Sequence, residues 1–478
     1  MVAVYMNYVD GRFLPNTDAM IDVTNPATHE LLAHVPDSGK QVVDQAVEAA
    51  RRAQPAWERL PAIQRAMHLR NISVKLRENR EDLARIITRE QGKVLPLARV
   101  EVDFTADYID YMAEWARRIE GEVLTSDRPG EHMFLLRKPL GVAAGILPWN
   151  FPFFLIARKM APALVTGNTV VIKPSEETPI NAFEFTKLLA ETDLPPGVFN
   201  LVSGRGGSTG AALAGHSGID IVSFTGSVTT GSLIMESAAR NLTRVNLELG
   251  GKAPAIVLAD ADLNLAVKAI VDSRVINTGQ VCNCAERVYV ERSVADAFID
   301  RIGALMNAVR FGDPSEDETL DMGPLVNRQG LDKVADMVKH ARTQGAQIVV
   351  GGKLAGLERG YHYQPTVIAG CNSDMEIMRK EIFGPVLPIQ VVDTLDEAIY
   401  CANNSEYGLT SSIFTRDINA AMKACQELRF GETYINREHF EAMQGFHAGR
   451  RKSGIGGADG KHGLYEFMET HLIYLQTH

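Results

Sequence analysis

Between residues 142 and 247 the chain alternates short apolar runs with helical stretches, and this rhythm restricts its fold more than any other feature. The runs cover 142–147, 169–172, 198–202, 219–224 and 245–247, and helical stretches such as 181–191 and 231–239 lie between most of them. Strands separated by helices are joined by crossovers, which leave the strands parallel. The pattern predicts an α/β fold with a doubly wound parallel sheet. A second alternating block starts at 255–258 and continues to about residue 435.

The segments outside these blocks are of other kinds. Residues 5–13 read as a hairpin closed by Asp10-Gly11. Ser38 with Gln41 three residues on reads as a capping box opening a helix. Further helices are expected over 62–76, 80–91 and 97–118. Residues 133–136 form an apolar strand outside any βαβ unit, and a Gly-rich stretch, 454–460, precedes an apolar tail at 472–475 that needs a strand partner.

With 478 residues the chain holds two or three domains. Its net charge of −10 argues against nucleic acid as a partner. Five cysteines without framework spacing imply reduced thiols and a cytoplasmic location, and Cys282-x-Cys284 is not metal spacing. The N-terminus lacks signal-peptide character, and the most apolar segment, 146–157, is too short to span a bilayer.

Several strand ends carry chemistry. Cys282 lies between a helical run, 263–276, and a strand-like run, 287–290, where a thiol can be presented; taken alone it reads more readily as a small buried hydrophobe, the usual fate of a free Cys. Pro148-Trp149-Asn150-Phe151-Pro152 holds an amide stiffly enough to donate to an oxyanion, or is a plain turn. Lys173-Pro174-Ser175-Glu176 can take the two hydroxyls of a ribose, or is a surface ion pair. Thr225-Gly226-Ser227 opens a helix in a way that suits a pyrophosphate. Glu248-Leu249-Gly250-Gly251-Lys252 puts a carboxylate at the end of an apolar run, where partial burial is expected to raise its pKa toward that of a useful base. Glu381-Ile382-Phe383-Gly384-Pro385 pairs a carboxylate with a ring before a turn. Gly206-Gly207-Ser208-Thr209-Gly210 matches a serine-hydrolase elbow, with Ser208 as its nucleophile, or a Gly-rich turn facing a nucleotide.

In order and together, these motifs with Gly279-Gln280-x-Cys282 resemble the NAD(P)-dependent aldehyde dehydrogenase superfamily across essentially the whole chain. The resemblance implies a Rossmann-like cofactor domain (1–122 and 143–250), an α/β catalytic domain (251–435), and a β oligomerisation extension with an anchor loop (123–142 and 436–478). It implies Cys282 as nucleophile, Asn150 as oxyanion donor, Glu248 as the base for thioester hydrolysis, and Lys159 as an aid to proton transfer. Trp149, Lys173, Ser175, Glu176, Gly226, Ser227, Leu249, Glu381 and Phe383 correspond to contacts with NAD. A homodimer or homotetramer is implied, with a small-molecule aldehyde as substrate.

Departures from better-known members lie around the substrate tunnel. Arg158 stands where many place an aromatic, Asn283 follows the nucleophile, and the anchor loop carries Glu441 and His447. These polar groups point to a short hydroxyaldehyde such as lactaldehyde or glycolaldehyde, with another small polar aldehyde, such as a semialdehyde, as the alternative. In a second arrangement Arg158 pairs with a carboxylate such as Glu441. A hydrolase at Ser208 and a binding protein on an inactive scaffold are the competing classes; the presence of Cys282, Glu248 and Asn150 disfavours the latter.

Overall fold

The computed structural model describes residues 2–15 and 19–477. Its first large sheet has eight strands. Five of them, Arg244–Glu248, Ile221–Thr225, Val142–Ile146, Thr169–Lys173 and Phe199–Leu201, are parallel neighbours in that spatial order. Antiparallel strands close both edges: Gly454–Ile455 beside Arg244–Glu248, and the hairpin Tyr8–Val9 with Arg12–Phe13 beside Phe199–Leu201. The hairpin turns at Asp10 and Gly11 through positive φ at both, as expected.

The chain leaves Val142–Ile146, builds outward through Thr169–Lys173 and Phe199–Leu201, then returns to the opposite side at Ile221–Thr225. That reversal opens a crevice at the carboxyl ends of Val142–Ile146 and Ile221–Thr225, where such sheets bind ligands. Helices Phe154–Thr166 and Lys40–Arg59 bury the central strands completely. The helix Lys40–Arg59 begins at Gly39 rather than in a box formed by Ser38. The Ser38 hydroxyl instead accepts from Asn7 Nδ2 at 2.6 Å and its N–H reaches the Ser203 carbonyl at 3.1 Å, so tertiary partners win over the local cap.

The second large sheet has seven strands, Gln347–Val350 to Glu432–Ile435, with Arg287–Glu291 and Pro254–Val257 parallel at its centre. A separate three-stranded sheet joins Met468–Gln476 to Glu131–Pro139 and Glu122–Leu124. The terminal strand thus finds the partner its sequence requires, with Tyr474 opposite Met133. Val123, Tyr474 and Leu475 remain exposed on this sheet. No described helix is long and apolar enough to cross a membrane.

Candidate active site

Cys282 lies at the end of a loop whose backbone is bent sharply by three consecutive left-handed residues. Asn277, Thr278 and Gly279 have φ of 49°, 61° and 71°. Only glycine fits the third position, since a Cβ there would lie 2.3 Å from the Gly384 carbonyl oxygen. Side chains pin the bend: Thr278 donates to the Gly323 carbonyl at 3.1 Å, and Gln280 accepts from the Val326 N–H at 2.9 Å while donating to the Asn277 carbonyl at 3.1 Å. A backbone held this way presents the thiol in one place.

Asn150 faces this loop from the end of Val142–Ile146. Its amide donates one N–H to the Gln280 carbonyl at 2.9 Å, leaving the second for another acceptor. The Asn150 main-chain carbonyl accepts from Lys93 Nζ at 2.9 Å and from Asn277 Nδ2 at 3.0 Å. Lys93 is paired with Glu101, which also receives the N–H groups of Phe153 and Phe154 at 2.9 and 3.1 Å, at the start of helix Phe154–Thr166. The buried pair therefore fixes the amide relative to that helix.

Two cavities meet at the thiol. Cys282, Asn150 and Thr225 line both. One, of about 70 Å³, has walls largely of Phe104, Phe151, Phe154 and Phe440, with Arg158, Asn283 and Glu441 as polar members. The other, of about 190 Å³, is walled by Trp149, Gly226, Ser227, Leu249, Glu381 and Phe383. The rings of Trp149 and Phe383 meet edge to face, 5.4 Å between centroids. Lys333 also stands in this wall, on helix Arg328–Thr343, with no sequence signal to mark it.

Arg158 adopts the second arrangement foreseen for it. Nε donates to Asp459 at 3.0 Å and Nη2 to Glu441 at 3.1 Å, and Nη2 also bonds Asp459. Glu441 receives Asn283 Nδ2 as well. Nη1 of Arg158 lies 3.6 Å from Glu248, so three carboxylates engage the guanidinium, while Arg158, Asn283 and Glu441 together line the pocket. His447 Nδ1 lies 2.5 Å from a Glu432 oxygen, and the residue is not among those lining the pocket.

Glu248, at the end of Arg244–Glu248, is 3% exposed and neither oxygen has a hydrogen-bond partner among the described residues. Burial alone would raise its pKa, as the sequence suggested. The charges of Lys159, Arg158 and His447 outweigh burial and hold the carboxyl below its ordinary value. Lys159 is likewise buried with an unpartnered Nζ, and burial pulls its pKa down against the pull of Glu248.

On the far side of the crevice Lys173 Nζ meets Glu176 at 3.0 Å, and the other Glu176 oxygen accepts the Gly206 N–H at 3.0 Å. The Ser175 hydroxyl accepts from the Glu177 N–H. The Ser227 hydroxyl caps helix Val228–Ala239 through the Thr230 N–H. Ser208 is exposed and its hydroxyl donates to the Arg205 carbonyl of its own loop, and no base among the described residues is hydrogen-bonded to it. Glu381 accepts the Gly251 N–H at 2.7 Å, and burial pushes its carboxyl up to about 7.

Glu286 is an unforeseen member of the assembly. It receives Lys252 and Arg274 at 2.8 Å each and the N–H groups of Ile382 and Phe383 at 2.9 and 3.1 Å. Burial opposes its charge, yet Lys252 and Arg274 hold it down at about 2. One buried carboxylate thus ties the nucleophile segment to the Glu381–Phe383 loop.

A reachable thiol, a rigid amide donor, a carboxylate held ionised by buried cations and a flat-walled cavity meeting a small pocket are the parts of an aldehyde-oxidising site: the chain belongs to the aldehyde dehydrogenase family, which residues 13–473 match. It is 59% identical to lactaldehyde dehydrogenase of Escherichia coli K12 over 98% of each chain. The crystal structure of lactaldehyde dehydrogenase from Escherichia coli superposes with a TM-score of 0.99 at 58% identity, covering 100% of both chains. A betaine aldehyde dehydrogenase from Staphylococcus aureus, solved in complex with NAD+, is 35% identical with a TM-score of 0.96, over 98% of this chain and 94% of that one.

Proposed function

We propose that this enzyme oxidises a short hydroxyaldehyde, lactaldehyde or glycolaldehyde, to the carboxylic acid with NAD as hydride acceptor. The observation that carries this reading is the position of Cys282 in the walls of both cavities, so that one thiol can hold an aldehyde carbon between the two. The likeness to lactaldehyde dehydrogenase supports the substrate class.

The second cavity fits a nicotinamide riboside. Thr225 Oγ1 and the Glu248 carboxylate line it as buried polar atoms without hydrogen-bond partners among the described residues, among apolar walls for a flat ring. Glu381 would hold the adjoining ribose, and Lys173 with Glu176 the adenosine ribose. Gly226 and Ser227, at a helix N-terminus, suit the pyrophosphate. Bound NAD+ supplies the hydride acceptor.

The residues of the chain do the rest. The Cys282 sulfur adds to the carbonyl carbon, giving a thiohemiacetal oxyanion. That oxyanion takes the second N–H of Asn150 and the main-chain N–H of Cys282. After hydride loss a thioester remains on Cys282. Glu248 takes a proton from the water that attacks it, and Lys159 keeps Glu248 ionised.

The Lys159 role has a pH signature. Glu248 is a base above its pKa and is lost as pH falls through it. Lys159→Met removes a cation while burial remains, so the Glu248 pKa should rise and the acid limb of kcat move up by about one unit or more. An unmoved acid limb would remove Lys159 from this role.

Substrate choice follows from the polar part of the pocket. Arg158, Asn283 and Glu441 can satisfy a hydroxyl next to the aldehyde, and an alkyl analogue leaves them unpaired. kcat/KM for lactaldehyde should exceed that for propanal by at least ~10²-fold, and Arg158→Leu should shrink the gap by losing activity on lactaldehyde. Equal efficiency on the two would overturn the polar-pocket reading. A semialdehyde carboxylate would meet Glu441 and Asp459 beside Arg158, which disfavours that alternative. The same assay with each cofactor should favour NAD+ over NADP+, because Glu176 would repel a 2′-phosphate.

The proposed domain division is 1–122 with 143–250, 251–435, and 123–142 with 436–478; the two large sheets and the sheet of Met468–Gln476 with Glu131–Pro139 support it, while Gly454–Ile455 of the last part pairs with the first large sheet. Exposed Val123, Tyr474 and Leu475 on the sheet of Met468–Gln476 support a homodimer or homotetramer. Light scattering at micromolar concentration should give one of these; a monomer would contradict it. The five free thiols suit a reducing, cytoplasmic setting.

A further inference from the structure

The wall of the substrate pocket carries a polar side chain that the reaction above does not use. His439, Phe440 and Glu441 are consecutive in the loop 436–449, and all three line the pocket that reaches Cys282. His439 is 5% exposed, and its Nε2 is buried with no hydrogen-bond partner among the described residues. The polar groups already assigned to the substrate hydroxyl are placed differently. Arg158 and Asn283 both donate to Glu441, so those three bond to one another before any substrate arrives.

The ring of His439 is held through its other nitrogen. Nδ1 lies 3.1 Å from the hydroxyl of Ser273, on helix Leu263–Val275. That hydroxyl accepts the Ala285 N–H at 3.0 Å, and its own hydrogen has no other acceptor among the described residues. It therefore donates to Nδ1, and a neutral imidazole that accepts at Nδ1 carries its hydrogen on Nε2. The Tyr434 ring meets the imidazole at 72°, with centroids 5.4 Å apart, and fixes its plane. Ser273 thus holds both the histidine and the segment that follows Cys282 through one oxygen.

The ring is neutral in this setting. Burial pushes its pKa down to about 3; Arg274 and Arg437 act in the same direction, and Glu432 opposes them. An N–H buried without an acceptor is destabilising, and a bound molecule that offers a lone pair relieves it.

We propose that the Nε2–H of His439 donates to the hydroxyl oxygen of the substrate, which makes His439 a binding residue that selects 2-hydroxyaldehydes over alkyl aldehydes. This rests on the hydroxyaldehyde reading given above. A neutral N–H suits a hydroxyl oxygen, which is uncharged and has lone pairs to offer. The guanidinium of Arg158 is engaged by Asp459, Glu441 and Glu248, whereas Nε2 of His439 keeps its hydrogen for a ligand. No proton moves at His439 and no bond to carbon changes there, so its effect falls on binding.

The test is kcat/KM of the full-length enzyme for lactaldehyde and for propanal at saturating NAD+, in the parent and in His439→Phe, His439→Leu and His439→Gln. Phe keeps a flat ring and Leu does not; both remove the donor, and each covers the case in which the other fails to fold. In both variants kcat/KM for lactaldehyde should fall about ten-fold, chiefly through KM, while that for propanal stays within about three-fold of the parent. His439→Gln can set an amide N–H near the place of Nε2 and should keep more of the preference for lactaldehyde than His439→Leu. Equal losses on both substrates, as from a histidine that only packs, overturn the proposal. So does an unchanged ratio in the Phe and Leu variants, or a Gln variant that discriminates no better than Leu. The hydroxyaldehyde reading fails separately, if the parent itself oxidises propanal as efficiently as lactaldehyde.

Discussion

Cys282→Ala should reduce aldehyde-dependent NADH formation at least ~10⁴-fold, because without the sulfur no covalent intermediate exists from which hydride can leave. The substitution removes one atom from a half-buried side chain, so the fold and cofactor binding should survive, and NAD+ should protect the variant against heat as it protects the parent. Full steady-state turnover by this variant would end the assignment. The neighbouring Cys284 cannot substitute: it is buried, its thiol points to the Val281 carbonyl at 2.9 Å, and burial pushes its pKa up to about 12.

Glu248→Gln should separate the two halves of the reaction. Sulfur attack and hydride loss precede the need for a base on water, so one equivalent of NADH should appear at a rate near the parent's, with later turnover slowed by roughly 10²- to 10⁴-fold. The amide preserves the shape of a buried side chain and removes a charge that Lys159 and Arg158 face, so a modest loss of stability should accompany the kinetic effect. A variant lacking the burst as well would place Glu248 in the first half, as the base for the thiol.

Local signals in the chain carried the fold and the core of the site a long way. Alternating apolar runs and helices lead directly to the parallel sheet, because a buried parallel strand needs apolar residues on both faces. Gly279 announces a bend that no other residue tolerates, and Cys282 follows it. Asn150 and Glu248 stand at strand ends, where chain direction alone places side chains at the crevice. The motifs around Trp149, Ser227, Leu249 and Phe383 converge on one cavity for the same reason.

The rest depended on partners far away in the chain. Arg158 meets Asp459 across 301 residues, and nothing near either residue marks the other. Its donors are therefore largely occupied: of the two arrangements the sequence leaves open, pairing with carboxylates is the one adopted, with Asp459 as a partner the sequence does not mark. Glu248 was expected to be a raised carboxyl because its own segment is apolar; the cations that lower it come from helix Phe154–Thr166 and the loop bearing His447. Nothing near Glu286, Lys333 or Glu432 in the sequence marks them, because their importance lies in what distant segments bring against them. Ser38 likewise lost its capping role to Asn7, a tertiary contact overriding a local rule.

The central claim, that a hydroxyaldehyde is oxidised while bound covalently to Cys282, is tested most directly by mass spectrometry of Glu248→Gln quenched seconds after mixing with lactaldehyde and NAD+. The account predicts one lactoyl group per chain, located on the peptide containing Cys282, with NADH formed in equal amount. NADH formed without an acyl group on that peptide, or the acyl group found on another residue, would contradict it.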